Sequence, residues 1–337
     1  MADEKTPILQ TGEGILPMTI ESRGCISENE NSGRYMMPKA TTSVKAGAFL
    51  CLSTLVALLF NHSFSSSATP LLGSSLISTG IPKDWSSLNE SSGAVLITGA
   101  TGRTGSLLYH ELKRRGMSDV RAFVRDAEKA KTVLGCDACD ESEGIFVGDL
   151  TEPDDVGRAM ADGSVKVLAV ASGASGRGPT ELQRAIEFDA VISMVKSLGE
   201  TNANNNDALR VVFCSSMGST NPKPSFGGDI LHWKVNAEAF LSSSGISSTI
   251  IIKPCGLNNG SGNDSTLVVG HHDKLFEESP YHAVSRQDVA NVMAESVMMT
   301  HDVSNSNALR FDLCSIPGPS TEDLKGLIES SRWEWDN

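Results

Sequence analysis

Aromatic side chains are scarce in this chain of 337 residues, at 5% of positions, and tyrosine occurs only three times. A core must then be built from Val, Ile, Leu and Ala, which suits layered helices and strands. Basic residues are outnumbered, 28 Lys and Arg against 41 Asp and Glu, for a formal net charge of -13. No basic stripe interrupts that balance, which argues against a nucleic-acid surface. Seven cysteines are present, and only Cys136 and Cys139 lie close together. One CxxC without a second pair is half a zinc site at most, and no His/Cys/Asp cluster elsewhere has ligand spacing, so no metal is expected. Asp137 and Asp140 flank the pair and work against a low-pKa thiol. We read these as ordinary loop cysteines, with a reversible disulfide as the alternative. Cys214 and Cys255 fall at strand ends and read as packing residues. No internal repeat is present.

Long apolar runs are also missing, with one exception. Residues 1–45 are polar, of mixed charge and aperiodic, a disordered leader. An uncharged run of about 15 residues follows, from Ala46 to Phe60. It is shorter than the about 20 residues of a membrane span and matches the apolar core of a targeting signal. Lys39 and Lys45 precede it, and Ser66-Ser67-Ala68 fits a cleavage site. A start at Met36 or Met37 would give it an ordinary basic n-region. We read 46–68 as a cleaved targeting segment, the alternative being an anchor that holds the domain at a membrane through 46–60. Residues 69–92 form a serine-rich linker. A plastid fits both features, another secretory-route compartment being the alternative.

What the chain does contain begins at Ala94. The run Val95-Leu96-Ile97-Thr98 ends in Gly99, Gly102 and Gly105, and a helical pattern starts at once. This is a strand, a tight turn and a helix N-terminus, with Thr101, Arg103 and Thr104 filling the turn. Glycines there let backbone approach a pyrophosphate, which then faces the free N–H groups of the helix. Further strands are predicted at Val120–Val124, 144–147, Val165–Val170, 210–213, 249–252 and 308–313. Helices are predicted at 126–134, 152–161, 180–198, 229–243, 285–299 and 321–330. Near-continuous apolar strands alternating with helices indicate a parallel sheet covered on both faces. The expected fold is α/β, a single doubly wound Rossmann domain over 93–330, followed by a short tail, 331–337. Ligand should bind outside the carboxyl ends of the strands, where Ala171, Ser172 and Gly173 follow the fourth.

Arg125 directly follows the second strand. An arginine there accommodates the 2′-phosphate of NADP, where an acid would hold the ribose of NAD; Arg103 adds a second positive group. NADP(H) is therefore the expected cofactor, the alternative being that Arg125 only pairs with Glu128. Asp149 and Leu150 would line the adenine, unless Asp149 serves only as a helix-start acid.

These motifs, with Ser215-Ser216-Met217-Gly218, Trp233-Lys234, Ala237-Glu238 and Ser285-Arg286-Gln287-Asp288-Val289-Ala290, resemble the atypical short-chain dehydrogenase/reductases. The likeness is nearest to the NmrA-like NAD(P)-binding group common in photosynthetic eukaryotes. It implies that Lys234 holds the nicotinamide ribose. It also implies that Ser215, Ser216 and Met217 line the nicotinamide pocket and that Pro254, Cys255 and Gly256 contact its amide. The family's proton-donating tyrosine should stand four residues before the lysine, where this chain has Ile230. His232 lies about 200° around the helix from Lys234, on the far face. Tyr281 and His282 are the remaining candidates for a substitute acid. Glu238 reads as the salt-bridge partner of Lys234, and Arg286 with Asp288 as a brace of the sheet. Residues 257–281 read as a mobile loop over the substrate side. Two functions follow: a reductase of a quinone, flavin or tetrapyrrole-like acceptor, or a weakly catalytic NADPH-bound sensor or assembly factor acting through a protein partner.

Overall fold

The computed structural model describes residues 93–204, 208–222, 229–278, 283–299 and 308–332. The leader, the apolar segment 46–68, the serine-rich linker, Tyr281, His282 and residues 333–337 lie outside the described residues.

An eight-stranded sheet forms the centre. In chain order its strands are β1 (Ala94–Thr98), β2 (Val120–Val124), β3 (Ile145–Val147), β4 (Val165–Val170), β5 (Arg210–Cys214), β6 (Ser248–Pro254), β8 (Thr266–Gly270) and β10 (Leu309–Ile316). Two further short strands, β7 (Gly256–Asn258) and β9 (Ala283–Ser285), pair with each other in parallel. The sheet order is β3-β2-β1-β4-β5-β6-β10-β8, parallel throughout except for β8, which runs antiparallel to β10. The order reverses between β1 and β4, and that crevice is where a doubly wound sheet takes its ligand.

The apolar strands are buried on both faces because helices cover both. Along β1, Val95 and Ile97 enter one core and Ala94 and Leu96 the other, the two-residue period of a strand. On one side α1 (Gly105–Arg114) contributes Leu108 and Leu112, and α8 (Arg286–Met298) contributes Val292 and Met293. The opposite core takes Met194 and Leu198 from α5 (Ala190–Thr201) and Leu241 from α6 (Ile230–Ser243). The remaining helices are short: α2 (Ala127–Leu134), α3 (Pro153–Arg158), α4 (Thr180–Arg184), α7 (Leu275–Glu278) and α9 (Leu324–Ser330). Leu96 is wholly buried, and truncating such a residue to alanine costs about 2–5 kcal/mol. The end of α8 is closed from across the core. Arg210 Nη1 donates to the carbonyls of Ser296, Val297 and Met299 at 2.8, 3.0 and 2.6 Å, a cation at the negative helix end. Burial lowers this guanidinium to about 10.

Several expectations are corrected. The helix predicted over 180–198 is not uniform: α4 and α5 flank a π-turn at Ala185–Asp189. The region read as a mobile loop, 257–281, contains β7, β8 and α7. Its Thr266-Leu267-Val268-Val269 run is β-branched enough to complete the sheet edge, and Asp273 is tied to Lys253 at 2.6 Å. Cys136 and Cys139 are joined as a disulfide, as are Cys255 and Cys314, so Cys255 is more than a packing residue. Cys214 is free. Among the described residues no helix is long and apolar enough to cross a membrane.

Candidate functional site

The carboxyl ends of β1, β2, β4, β5 and β6 open on one cavity of about 800 Å³. Its floor is the glycine turn. Gly99 has a φ of +69°, and a Cβ there would come within 2.7 Å of the Ser172 backbone nitrogen. A Cβ on Gly102 would meet Gly99 O at 2.9 Å, and one on Gly105 would overlap the same oxygen. Side chains at these three positions would fill the cradle. Thr101, Arg103 and Thr104 border the cavity; Gly105 packs beneath it, buried against Gly99.

The helix that starts here is left open. α1 has no side-chain cap and no acid in its first turn, as is also true of α5 and α6. An uncapped helix N-terminus behind a glycine cradle suits a pyrophosphate.

Beyond the ends of β2 and β3, Arg125, Lys129, Asp149 and Leu150 line the cavity. Arg125 makes no ion pair with Glu128 among the described residues; Glu128 pairs with Lys131 instead. Asp149 Oδ1 accepts from Thr151 N and Oγ1 at 2.9 and 2.8 Å, bonds that hold its carboxyl below its ordinary value, and the Arg125 charge adds to the effect. Asp149 thus borders the cavity and shapes its own turn.

At the other end, Ala171, Ser172, Gly173, Ser215, Ser216, Lys234, Pro254, Cys255 and Gly256 also line the cavity. Thr98 Oγ1 and Ser172 Oγ lie 3.2 Å apart. Ser216 Oγ donates to Met217 O at 2.9 Å. Lys234 is buried, with Nζ 2.9 Å from Glu187 Oε2, 3.2 Å from Cys214 O and 5.0 Å from the centre of the Phe213 ring. Ile230 lines the same wall four residues earlier. His232 is exposed and accepts from Asn236 on the outer face, so it does not replace a tyrosine.

Two partner assignments change. Glu238 does not pair with Lys234. It takes hydrogen bonds from Ser215 Oγ and Ser219 Oγ and pairs with Arg310 at 2.6 Å, three donors where a lysine one turn earlier would offer one. The lysine's partner is Glu187, from the π-turn. Arg286 is not simply a brace: its side chain borders the cavity, held by Leu257 O at 3.3 Å and Asn259 Oδ1 at 2.7 Å. Burial and the facing Arg103 charge push this guanidinium below its ordinary value. Asp288 is structural, bonded to Asn263 N and Ser285 Oγ. Sequence reasoning missed Glu187, Lys129 and the apolar wall of Leu182, Ile186, Leu231, Leu257 and Phe276.

Comparison with known proteins agrees with this geometry. A family model described as NAD(P)H-binding matches residues 99–300. A chloroplastic protein of Arabidopsis thaliana with no assigned activity is 33% identical over 252 residues, 69% of this chain and 74% of that protein. Sanguinarine reductase of Eschscholzia californica is 31% identical over 271 residues, 69% of this chain and 94% of the reductase. The structure of a putative NAD-dependent epimerase/dehydratase from Bacillus halodurans shares the fold, with a TM-score of 0.56 at 24% identity over 71% of this chain and 99% of that one. The matched residues span the glycine cradle, the helix behind it and Lys234, and this chain belongs to the NAD(P)H-binding family.

Proposed function

We propose that the chain is an NADP(H)-dependent reductase of a quinone, flavin or tetrapyrrole-like acceptor, working in a plastid. The cofactor preference rests on Arg125 and Lys129, two cations at the adenine end of the cavity. The acceptor class rests on the opposite end. There Leu182, Ile186, Ile230, Leu231, Leu257 and Phe276 offer an apolar wall beside Lys234, which favours a broad, flat, apolar molecule over a small alcohol. When bound, the nicotinamide supplies hydride. Lys234 would orient the ribose, Arg103 and Arg286 would offer charge to the pyrophosphate, and the wall would exclude water around the acceptor.

The observation that carries this reading is Ile230 in the cavity wall four residues before Lys234. An isoleucine transfers no proton, so this position cannot serve as the usual tyrosine acid of ketone reduction. Acceptors whose reduced form takes its proton elsewhere remain. Plastid placement is supported by the chloroplastic relatives and by the apolar run at 46–60.

The test is NADPH oxidation by the full chain with quinones, flavins and biliverdin-type tetrapyrroles, beside Lys234→Ala. Turnover lost in the variant supports the reductase. Tight NADPH binding with no turnover on any acceptor would replace it by the sensor or assembly-factor reading, and the search would turn to a protein partner.

A further inference from the structure

With Ile230 in the tyrosine position, the proton that accompanies hydride must come from another group. Among the described residues, Glu187 and Lys234 form a buried ion pair that borders the cavity. Their side chains are 2% and 10% exposed, both border the cavity, and Nζ and Oε2 are 2.9 Å apart. Glu187 is itself held: its Oε1 accepts the Ala174 N–H at 2.7 Å, which ties it to the chain leaving β4. An ammonium has three N–H donors. Two meet Glu187 and the Cys214 carbonyl, and the third has no acceptor among the described residues.

We propose that this ion pair delivers the proton of the reduction, with Lys234 as donor and Glu187 as the positioning residue that keeps it charged and aimed. The inference rests on the reductase reading. The reductant is the nicotinamide cofactor, which gives up two electrons as hydride. The Lys234 Nζ–H bond breaks, and its proton bonds to the acceptor heteroatom that has gained the electron pair. The amine left on Lys234 regains a proton from water. Glu187 stays a carboxylate throughout.

The electrostatics agree with the geometry. The groups that face Lys234 are Glu187 from the π-turn, Cys214 from the end of β5 and Glu238 from α6. Burial alone would push the ammonium towards neutrality, but these groups, Glu187 first, outweigh it and raise its pKa. Lys234 therefore stays an ammonium at neutral pH. Burial pushes the Cys214 thiol up, so it remains protonated and does not compete as an anion.

The experiment compares the wild-type chain with Glu187→Gln and Glu187→Asp. In the protein without cofactor, acylation of Lys234 by acetic anhydride is followed against pH by mass spectrometry. The Gln variant should move the midpoint down by about one to three pH units, and the Asp variant should restore most of it. In turnover with an accepted acceptor, Glu187→Gln should lower kcat by about tenfold or more while the NADPH Kd changes little, and the alkaline limb of its pH profile should move down with the labelling midpoint. A wild-type enzyme that turns over, with Glu187→Gln unchanged in both midpoint and kcat, overturns the proposal alone. A variant that loses NADPH affinity but keeps kcat overturns it too, leaving Glu187 a binding residue. A wild-type chain that labels as expected but reduces no acceptor defeats the reductase reading, and the proton-delivery role falls with it.

Discussion

Lys253 of β6 and Asp312 of β10 are register partners on neighbouring parallel strands, and both side chains are fully buried with Nζ 3.3 Å from Oδ1. The contact is an ion pair without hydrogen-bond geometry at Oδ1. The same ammonium lies 2.6 Å from Asp273 Oδ1 and 2.8 Å from Thr220 Oγ1, and Asp273 N donates to Asp312 Oδ2 at 2.7 Å. One cation thus holds two carboxylates and fastens the 271–274 turn to the sheet. Burial pushes the Asp312 carboxyl up in spite of Lys253. Removing the cation leaves buried charge uncompensated, so Lys253→Met should cost about 3–5 kcal/mol in urea unfolding. Adding Asp312→Asn to that variant should recover part of the loss. A single-variant loss below about 1 kcal/mol would show that water reaches the site.

Arg125→Ala should weaken NADPH by about ten- to hundredfold and leave NADH nearly unchanged, since only the former carries a 2′-phosphate. Fluorescence titration of both cofactors checks it. An equal loss for both would place Arg125 elsewhere than at the phosphate.

Gly105→Ala puts a methyl group into the Gly99 carbonyl. The turn must open to admit it, which should cost about 1–3 kcal/mol of stability and most of the cofactor affinity. Thermal melting with and without NADPH reads both, because the ligand-induced rise in Tm should vanish.

Acid should release one surface tie. Asp162 is lowered to about 2 by its hydrogen bonds to Arg121, at 3.0 and 2.7 Å. A carboxylate lowered on folding contributes stability above its unfolded pKa, near 3.8, and that contribution fades as pH falls through about 2. The Asp162 side chain is 54% exposed, so the amount should stay below about 1 kcal/mol. Stability curves of the wild type and Asp162→Asn should differ at pH 6 and converge by about pH 2.

The Cys136–Cys139 disulfide closes a very short loop, so replacing both cysteines by serine should cost about 2 kcal/mol at most. Neither residue borders the cofactor cavity, and NADPH affinity should not move. A change in affinity would mean that the loop after α2 communicates with the adenine end.

The parallel sheet and the cradle could be read from the chain because local signals carry them. Ala94–Thr98 is apolar throughout, three glycines follow, and a helix starts at once; the strand ends then place Arg125, Asp149, Ser172 and Pro254 around one opening. The rest depended on distance. Nothing near Glu187 marks it as the partner of Lys234, 47 positions on in the sequence, and a carboxylate one turn away at Glu238 was the natural local choice. That choice failed because Arg310, Ser215 and Ser219 reach Glu238 from other elements. Arg286 looked structural because with Asp288 it resembles the family's helix-start brace of the sheet, and only the folded path of Leu257 and Asn259 turns it towards the cavity. The strand at Thr266–Gly270 was hidden by the Asn, Asp and Ser residues before it.

The π-turn at Ala185–Asp189 separates two halves of what would otherwise be one rotating cylinder. An uninterrupted helix would lock the angular setting of Leu182, at the cavity, to that of Met194 and Leu198, in the core. The wider turn breaks this lock. Substitutions at Leu182 and Ile186 can reshape the mouth of the cavity while the packing of α5 keeps its phase. Deleting one residue from the turn should undo that independence by swinging the upstream half through about 100°.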